Sequence, residues 1–332
     1  MMASVPEFSD VERAAGRIAG RAVRTPLLHS PALSERFEAT VFLKPENLQR
    51  MGSFKFRGAF NAVSALGEAA SAGIVACSSG NHAQGVAEAA RLCGVPATIV
   101  MPADAPQIKK SGVIAASGRV VDYDRVSEDR DAVAEAIIQE QGGTLIHPYN
   151  NFDVISGQGT VGLEIAEDCE RLGVTPDHVL VPCGGGGLTA GSALAIKARF
   201  PGALVHPVEP AGFDDYGRSL KTGQLQSNEN LSGSVCDALL APSPGPIGFE
   251  INRTLCGPAF SVDDDAALLA VGYACRMLKL VVEPGGAVAL AALRSGSLPV
   301  RGKTCVIVLS GGNLEDEMLA RALALFQAIE AA

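Results

Sequence analysis

A lysine with few polar neighbours is the first candidate for chemistry in this sequence. Lys55 lies in the stretch MGSFKFRGAFNA, between two phenylalanines and just after Ser53. Serine is a common helix cap, so Ser53 predicts a helix with the lysine in its first turn. Burial and the positive end of the helix dipole both disfavour a charged amine, and a neutral amine forms a Schiff base with a carbonyl compound. The alternative is a surface lysine whose ammonium group reaches water.

Four consecutive glycines are the second candidate. Gly184, Gly185, Gly186 and Gly187 follow the apolar segment HVLVP and precede the helical pattern LTAGSALAIKARF. Such a backbone can fold into a concavity lined by N–H groups, and the following helix adds partial positive charge, so the segment predicts a phosphate site. It matches neither GxGxxG nor the P-loop pattern, which weakens a dinucleotide or nucleoside triphosphate interpretation. A flexible turn is the alternative.

Two further polar loops also follow apolar segments. SSGNHAQG begins at Ser78, and VLSGGN contains Ser310. Hydroxyl, amide and N–H groups at a helix start suit a carboxylate or a phenolic oxygen, although helix capping alone would explain each loop. A phosphate site, a nucleophilic lysine and polar loops for a ring together predict pyridoxal 5'-phosphate as the cofactor.

The candidate residues need a scaffold, and the sequence indicates an α/β fold. Short apolar segments alternate with helical patterns, which predicts parallel sheets covered by helices. In such sheets ligands bind beyond the carboxyl ends of the strands, where these loops lie. We predict that residues 1–66 and 152–332 form a large cofactor-binding domain and residues 73–148 a small mobile α/β domain. A capping box of Ser9 and Glu12 predicts the first helix.

Composition argues against several classes of protein. The 332 residues carry a formal net charge of −9 and no basic block, unlike a nucleic-acid-binding surface. No apolar segment reaches the roughly 20 residues that cross a bilayer, and the N-terminal sequence lacks the pattern of a secretory signal. The 8 cysteines show no metal-ligand spacing, which indicates reduced thiols. We expect a cytoplasmic protein without membrane or nucleic-acid partners.

The order of the motifs resembles that of the serine/threonine dehydratases and serine racemases. These are fold-type II pyridoxal-phosphate enzymes, similar to the β subunit of tryptophan synthase. The motifs are RTPLLHSPALS, FLKPENLQRMGSFKFRGA, SSGNHAQGVA, GQGTVGLEI, PCGGGGLTAG, EPGGAVALAAL and VLSGGN. The resemblance covers nearly the whole chain and implies a two-lobed α/β fold and a homodimer.

The resemblance also implies roles for the cofactor residues. Lys55 would carry the cofactor as a Schiff base and act as the base at the substrate α-carbon. Phe54 would stack near the cofactor ring, Asn81 would contact its phenolic oxygen and Ser310 its pyridine nitrogen, and glycines 184–187 would hold its phosphate. A hydroxyl at the ring nitrogen implies a weaker electron sink, which favours prompt β-elimination.

The family further implies how a substrate binds. Ser78, Ser79, Asn81 and His82 would bind the substrate α-carboxylate through side chains or N–H groups. Asp237 lies near the position of a substrate-contacting serine, in a segment that departs from the family pattern. The expected reaction removes the β-hydroxyl of a 3-hydroxy amino acid such as L-serine, L-threonine or 3-hydroxyaspartate, and gives a 2-oxo acid and ammonia.

Ser79 leaves a second reaction open. In serine racemases the equivalent serine faces the opposite side of the α-carbon from the lysine, so racemisation is the nearest alternative. A protein that binds an amino acid without catalysis is the alternative from another class. Lys55 and the intact glycine segment argue against it, because a binding protein has no use for a covalent cofactor lysine.

A cation site is the last implication of the resemblance. Glu209, the carbonyl of Phe213 and Asp215 match the positions with which racemase-like members hold Mg²⁺ or Ca²⁺. Both cations prefer oxygen ligands. The alternative is a loop with two solvated carboxylates.

Overall fold

Two separate sheets organise the chain. The computed structural model describes residues 4–105, 107–124 and 126–330. The larger sheet contains, in spatial order, β1 Leu28–His29, β2 Thr40–Pro45, β10 Thr304–Leu309, β7 His178–Pro182, β8 Leu204–Pro210 and β9 Phe260–Val262. The smaller sheet contains β5 Arg119–Tyr123, β4 Ala97–Pro102, β3 Ile74–Cys77 and β6 Thr144–Leu145. We call the two sheets with their helices the large lobe and the small lobe.

Helices form most of the remaining structure. They are α1 Phe8–Ile18, α2 Pro31–Phe37, α3 Lys55–Ala65, α4 Asn81–Cys93, α5 Gln107–Ala115, α6 Arg130–Gln141, α7 Phe152–Leu172, α8 Gly187–Arg199, α9 Asp215–Thr222, α10 Pro246–Leu255, α11 Asp264–Tyr273, α12 Pro284–Arg294 and α13 Asp316–Glu330. A π-helical turn at Ala274–Leu278 extends α11. Within the described ranges, no helix combines the length and the apolar character that a bilayer span requires.

Alternating side chains pack the large sheet on both faces. Leu180 of β7 packs in one core with residues of α11 and α12. Its neighbours Val179 and Val181 point the other way and pack with residues of α7 and α8. Among these ten strands, every pair is parallel except β1 with β2. The prediction of an α/β fold with parallel sheets covered by helices is confirmed, because apolar side chains on both faces of a strand need a helix layer on each side.

The small lobe is built in the same way, and α3 joins it to the large lobe. Val75 of β3 packs with residues of α6, whereas Ile74 packs with α4. Phe56 and Phe60 of α3 belong to that second core, and α3 also contacts α7 of the large lobe. The helix that begins with Lys55 therefore lies at the junction of the two lobes. The domain limits predicted above stay a prediction.

The predicted start of the first helix is wrong by two residues. Helix α1 begins at Phe8, and Glu7 rather than Ser9 is its N-cap. The N–H of Glu7 donates to the Asp10 carboxylate at 2.9 Å, which completes a capping box with different members. The box forms with Asp10 because this carboxylate lies three residues after the true cap.

The predicted cap of α3 is also wrong. Ser53 has an extended backbone that pairs with Gly311, and its hydroxyl is buried without a hydrogen-bond partner among the described residues. The chain then turns at Phe54, and α3 begins at Lys55. The N–H of Phe54 donates to the carbonyl of Ser310 at 3.1 Å. A tertiary contact, rather than a side-chain cap, positions the lysine.

A buried group of four charged side chains holds α3 in place. Arg57, two residues after Lys55, donates to Glu46 and to Glu164, each at 2.7 Å. Lys44 donates to Glu164 at 2.6 Å. The side chains of Lys44, Glu46 and Arg57 are fully buried. Because two cations face two carboxylates, the group is neutral as a whole, and it ties α3 to β2 and α7.

We predict that Arg57→Met lowers the free energy of unfolding by about 3–5 kcal/mol, because it leaves Glu46 and Glu164 buried without their main donor. Urea denaturation followed by circular dichroism measures the change. Arg301→Met is the control, since Arg301 pairs with Glu38 at the surface with side chains 81% and 61% exposed. Its expected loss is below about 1 kcal/mol. Equal losses in the two variants would contradict the importance of the buried group.

Candidate active site

One cavity of about 500 Å³ contains most of the predicted site residues. Both lobes contribute to its walls. The predicted residues that line it are Phe54, Lys55, Ser78, Ser79, Asn81, His82, Gly184, Gly185, Gly186, Gly187, Asp237 and Ser310. Glu209, Phe213 and Asp215 lie outside this cavity. The individual roles assigned to all these residues stay predictions.

The loops converge because parallel strands end at the same edge of a sheet. Strands β7 and β10 are parallel neighbours, and the chain continues from their ends into Gly184 and Ser310. In the small lobe, β3 ends at Cys77, and the chain continues into Ser78. The polar loops thus face one another across the space between the sheets.

The glycine segment leaves no room for side chains. A Cβ added at Gly185 would lie 2.2 Å from the ring of Tyr149, and one at Gly186 would lie 2.1 Å from the ring of Tyr216. Gly186 has φ of +88°, in the left-handed region that favours glycine. Helix α8 begins at Gly187, so its positive end borders the cavity. A concave backbone at a helix start fits a phosphate group.

Lys55 is buried with its amine inside the cavity. The Nζ atom donates to the carbonyl of Pro148 at 2.9 Å and lies 5.1 Å from the centre of the Phe54 ring. Burial lowers the pKa of Lys55 to about 8, and the carboxyl group of Glu283 opposes this shift. A large fraction of the amine is therefore neutral at mildly alkaline pH, as a nucleophile or a base requires.

Glu283 is a buried carboxyl group for which the sequence analysis proposed no role. Its Oε1 accepts a hydrogen bond from Asn81 Nδ2 at 2.6 Å, and Asn81 Oδ1 accepts one from Asn313 at 2.8 Å. Burial raises the pKa of Glu283 to about 8, and the nearby Asp237 adds to this shift. The two bonds fix the Asn81 amide, which keeps a second N–H for the predicted contact with a phenolic oxygen.

The SSGNH loop can bind an anion mainly through its backbone. Helix α4 begins at Asn81, and the first N–H groups of a helix have no partner within it. The N–H of Gly80 donates to the hydroxyl of Ser78 at 3.2 Å, which orders the loop.

The ring of His82 does not serve as the predicted carboxylate donor. Its Nε2 lies 2.7 Å from the carbonyl of Ile146, and because a carbonyl only accepts, Nε2 carries the proton. Burial lowers the pKa of His82 to about 3, so the ring is neutral. The remaining Nδ1 is an acceptor without a partner in the described part of the chain. Only the backbone N–H of His82 is left for the predicted role.

Several residues that line the cavity have no role predicted from the sequence. They include Lys109, Arg130, Tyr149 and Glu283. Tyr149 follows the strand-like segment TLIHP, so its position beyond a strand end is a signal that could have found it. Glu283 directly precedes a helix that begins with proline among apolar residues, which is a weaker signal. Lys109 and Arg130 lie on the helices α5 and α6. In the sequence, a cationic residue that faces the cavity from a helix cannot be distinguished from one that faces solvent.

Of the predicted cation ligands, Glu209 lies near the end of strand β8, and Phe213 and Asp215 follow between that strand and the first turn of α9. Both oxygens of Glu209 accept backbone N–H groups, from Tyr216 at 2.8 Å and from Gly217 at 2.7 Å. Burial raises the pKa of Asp215 to about 6 and that of Glu209 well above its usual range. The Oδ2 of Asp215 is buried without a hydrogen-bond partner among the described residues. No group of three or more His, Cys, Asp or Glu side chains suited to a metal occurs in the described ranges, so the predicted cation site would also need the Phe213 carbonyl.

Comparison with known proteins gives matches over nearly the full chain. The family model described as pyridoxal-phosphate dependent enzyme matches residues 18–311. An L-threo-3-hydroxyaspartate ammonia-lyase from Pseudomonas sp is 42% identical over 317 residues, which cover 95% of this chain and 98% of that protein. A serine racemase from Schizosaccharomyces pombe is 38% identical over 320 residues, which cover 96% and 98%. The crystal structure of a threonine deaminase from T.th. has a TM-score of 0.89 at 42% identity, and the match covers 93% and 99%.

These matches include both sheets and the cavity loops from Phe54 to Ser310. They confirm the predicted resemblance to the dehydratases and racemases and the predicted dependence on pyridoxal phosphate. The chain belongs to the family of pyridoxal-phosphate-dependent enzymes.

Proposed function

We propose that the protein is a pyridoxal-phosphate-dependent ammonia-lyase. It would act on a 3-hydroxy amino acid such as L-serine, L-threonine or 3-hydroxyaspartate and release a 2-oxo acid and ammonia. The observation that carries this proposal is the buried amine of Lys55, which shares a cavity with the glycine segment and the SSGNH loop. The similarity to a hydroxyaspartate ammonia-lyase and to a threonine deaminase supports elimination as the reaction class.

The residues present fit the cofactor. The N–H groups of glycines 184–187 would hold the phosphate, Ser310 would reach the ring nitrogen and Asn81 the phenolic oxygen, and the amine of Lys55 would bind the aldehyde carbon. When bound, pyridoxal phosphate withdraws electrons from the α-carbon of the attached amino acid and so lowers the barrier to removal of its proton.

The chain itself supplies the proton transfer and the orientation. N–H groups at the start of α4 would bind the α-carboxylate and thereby direct the α-proton towards Lys55. Because burial lowers the pKa of Lys55 to about 8, its amine can accept that proton as a general base. The β-hydroxyl would then leave as water by taking up a proton, which the Lys55 ammonium group can supply, and the released enamine would react with water to give the 2-oxo acid and ammonia.

Ser79 supports racemisation as a second candidate function. Its side chain lines the same cavity as Lys55, and a serine racemase is among the similar proteins. A proton donor on the face opposite Lys55 would return the α-proton with inversion. The two reactions share the removal of the α-proton and differ in the next step, which is either loss of the β-hydroxyl or reprotonation.

The reaction can be tested with holoenzyme and the three candidate substrates. We expect a 2-oxo acid and ammonia in equal amounts from at least one of them, and Lys55→Ala should lower turnover by at least about 10²-fold because the general base is lost. Chiral chromatography measures the D-enantiomer in the same samples. Ser79→Ala should retain elimination and lose any inversion. Inversion without a 2-oxo acid would replace the lyase with a racemase, and binding without turnover would indicate an amino-acid-binding protein.

The protonation of Lys55 predicts how cofactor capture depends on pH. When pyridoxal phosphate is added to cofactor-free protein, the rate of capture should rise with pH through about 8, because only the neutral amine attacks. Glu283→Gln removes a carboxyl group that raises this pKa, so the midpoint should move to lower pH. Stopped-flow absorption of the bound cofactor measures the rate. Glu250→Gln, at the surface beside Arg253, should leave the midpoint unchanged, and an upward shift in Glu283→Gln would contradict the assignment.

We also propose that Glu209, Asp215 and the carbonyl of Phe213 bind Mg²⁺ or Ca²⁺. Two buried carboxylates, one of which has an oxygen without a hydrogen-bond partner among the described residues, are suited to a hard cation. Tyr216 donates its N–H to Glu209, and its ring lies against Gly186. A cation would therefore support the glycine segment through Tyr216 and act structurally.

Thermal denaturation of the holoenzyme can detect this cation. Excess Mg²⁺ or Ca²⁺ should raise Tm by roughly 2–6 °C through binding to the folded state, and a chelator should reverse the shift. Glu209→Gln should remove the shift because it neutralises a ligand. Glu250→Gln, which removes a surface carboxylate of the same lobe, should keep it. The absence of a shift with both cations would contradict the site.

We also propose that the protein is cytoplasmic and forms a homodimer. All eight cysteines are free thiols, as expected in the reducing cytoplasm. Leu48 and Val281 are each about half exposed, and the residue before Leu48, Asn47, donates from its side chain to the carbonyl of Val281. These apolar side chains suit coverage by a second copy in a homodimer.

A further inference from the structure

Two cationic side chains besides Lys55 line the cavity, and they differ in what they contact. Arg130 lies 3.7 Å from Asp131, its neighbour on α6. Lys109 of α5 in the small lobe instead reaches the Asp237 carboxylate of the large lobe, with Nζ 2.8 Å from Oδ2. The Lys109 side chain is 22% exposed and that of Arg130 is 47% exposed. Lys109 is thus the more buried cation, and its ammonium group already binds a carboxylate within the cavity wall.

The position of Lys109 relative to α4 suits a substrate with two carboxylates. Helices α4 and α5 pack together, and a Cβ at Gly112 would lie 3.2 Å from the side chain of Gln84. Both residues line the cavity, as do Lys109 and the start of α4 at Asn81. One wall therefore presents helix-terminal N–H groups and, on the adjacent helix, an ammonium group. The first suits an α-carboxylate and the second a carboxylate at the far end of the same molecule.

Asp237 is a replaceable partner for Lys109. It lies on a three-residue 3₁₀ turn, Asp237–Leu239, and its side chain is 61% exposed. Exposed ion pairs stabilise proteins only weakly, so little free energy opposes its rotation into water. Its carboxylate is the same chemical group as the second carboxylate of 3-hydroxyaspartate.

We propose that Lys109 determines specificity for acidic substrates by binding the second carboxylate of a four-carbon 3-hydroxy amino acid, which displaces Asp237. This inference rests on the proposed function and deepens it by naming the substrate class. L-Serine and L-threonine have no second carboxylate to take the place of Asp237, so Lys109 stays paired with Asp237 when they bind. Asp237 competes with the substrate instead of contacting it, which changes the role predicted from the sequence.

Steady-state kinetics of the holoenzyme test this proposal with two variants that should change KM in opposite directions. Lys109→Met should raise KM for L-threo-3-hydroxyaspartate about ten- to thirtyfold through loss of a charge-assisted hydrogen bond, and leave KM for L-serine unchanged. Asp237→Asn should lower KM for the acidic substrate about threefold because the competing carboxylate is gone. Lys110→Met is the matched control, since Lys110 pairs with Asp122 at 2.7 Å outside the cavity. It should change neither KM.

Inert ligands separate this inference from the proposed reaction. Succinate and butyrate have the same carbon chain and differ by one carboxylate, and each can be titrated against the holoenzyme by the change in cofactor absorption. We expect tighter binding of succinate and loss of that preference in Lys109→Met. If the wild-type holoenzyme turns over no 3-hydroxy amino acid but prefers succinate, and Lys109→Met loses that preference, the lyase proposal fails and the role of Lys109 stands.

Three results would overturn the role of Lys109. The first is equal binding of succinate and butyrate by the wild-type holoenzyme. The second is an increase in KM for L-serine in Lys109→Met that is as large as the increase for the acidic substrate. The third is a loss of the preference for succinate in Arg130→Met together with its retention in Lys109→Met. Should Lys109→Met fail to fold, an unchanged or increased KM for the acidic substrate in Asp237→Asn would overturn it as well.

Discussion

The cost of removing one amine from water determines the arrangement around it. Lys55 is buried, and its Nζ is stabilised by the carbonyl of Pro148, the ring of Phe54 and the carboxyl group of Glu283. These contacts do not offset desolvation, so the pKa of Lys55 falls to about 8 while that of Glu283 rises to about 8. Both groups are thus able to change charge near the same pH. A buried amine that is readily deprotonated is the feature that cofactor attachment and α-proton removal both need.

Burial also separates the ion pairs that hold the fold from those that can exchange partners. Arg57 and Glu46 are fully buried, and breaking their pair leaves a charge without solvent, so this pair fixes the start of α3 permanently. Lys109 and Asp237 lie at a wall of the cavity with partial exposure, so water can replace either partner. A pair of a cation and a carboxylate therefore stabilises the fold next to Lys55, whereas the similar pair of Lys109 and Asp237 can contribute to the choice of substrate.

Local signals in the sequence were sufficient for the fold and for much of the cavity. The apolar segment ATIVMP coincides with strand β4, Ala97–Pro102, at both its first and its last residue. The four glycines lie between a strand and a helix, as predicted. The failures depend on distant contacts. Ser53 has the right residue type for a cap, but its backbone pairs with Gly311 instead. The burial of Glu283 and the direction of the His82 ring follow from packing between segments far apart in the chain, which residue types do not encode locally.

Both lobes contribute residues to the predicted cofactor and substrate contacts. The predicted phosphate site and the contact to the ring nitrogen come from the large lobe, and Lys55 begins the helix at the junction. The predicted contacts to the substrate carboxylate, together with Lys109, come from the small lobe. Because a strand end in one sheet can change without altering the other, new side-chain preferences can arise while the lysine and the glycine segment stay fixed. Proteins named as a hydroxyaspartate ammonia-lyase, a serine racemase and a threonine deaminase all resemble this chain, so the fold alone does not determine which of these reactions occurs.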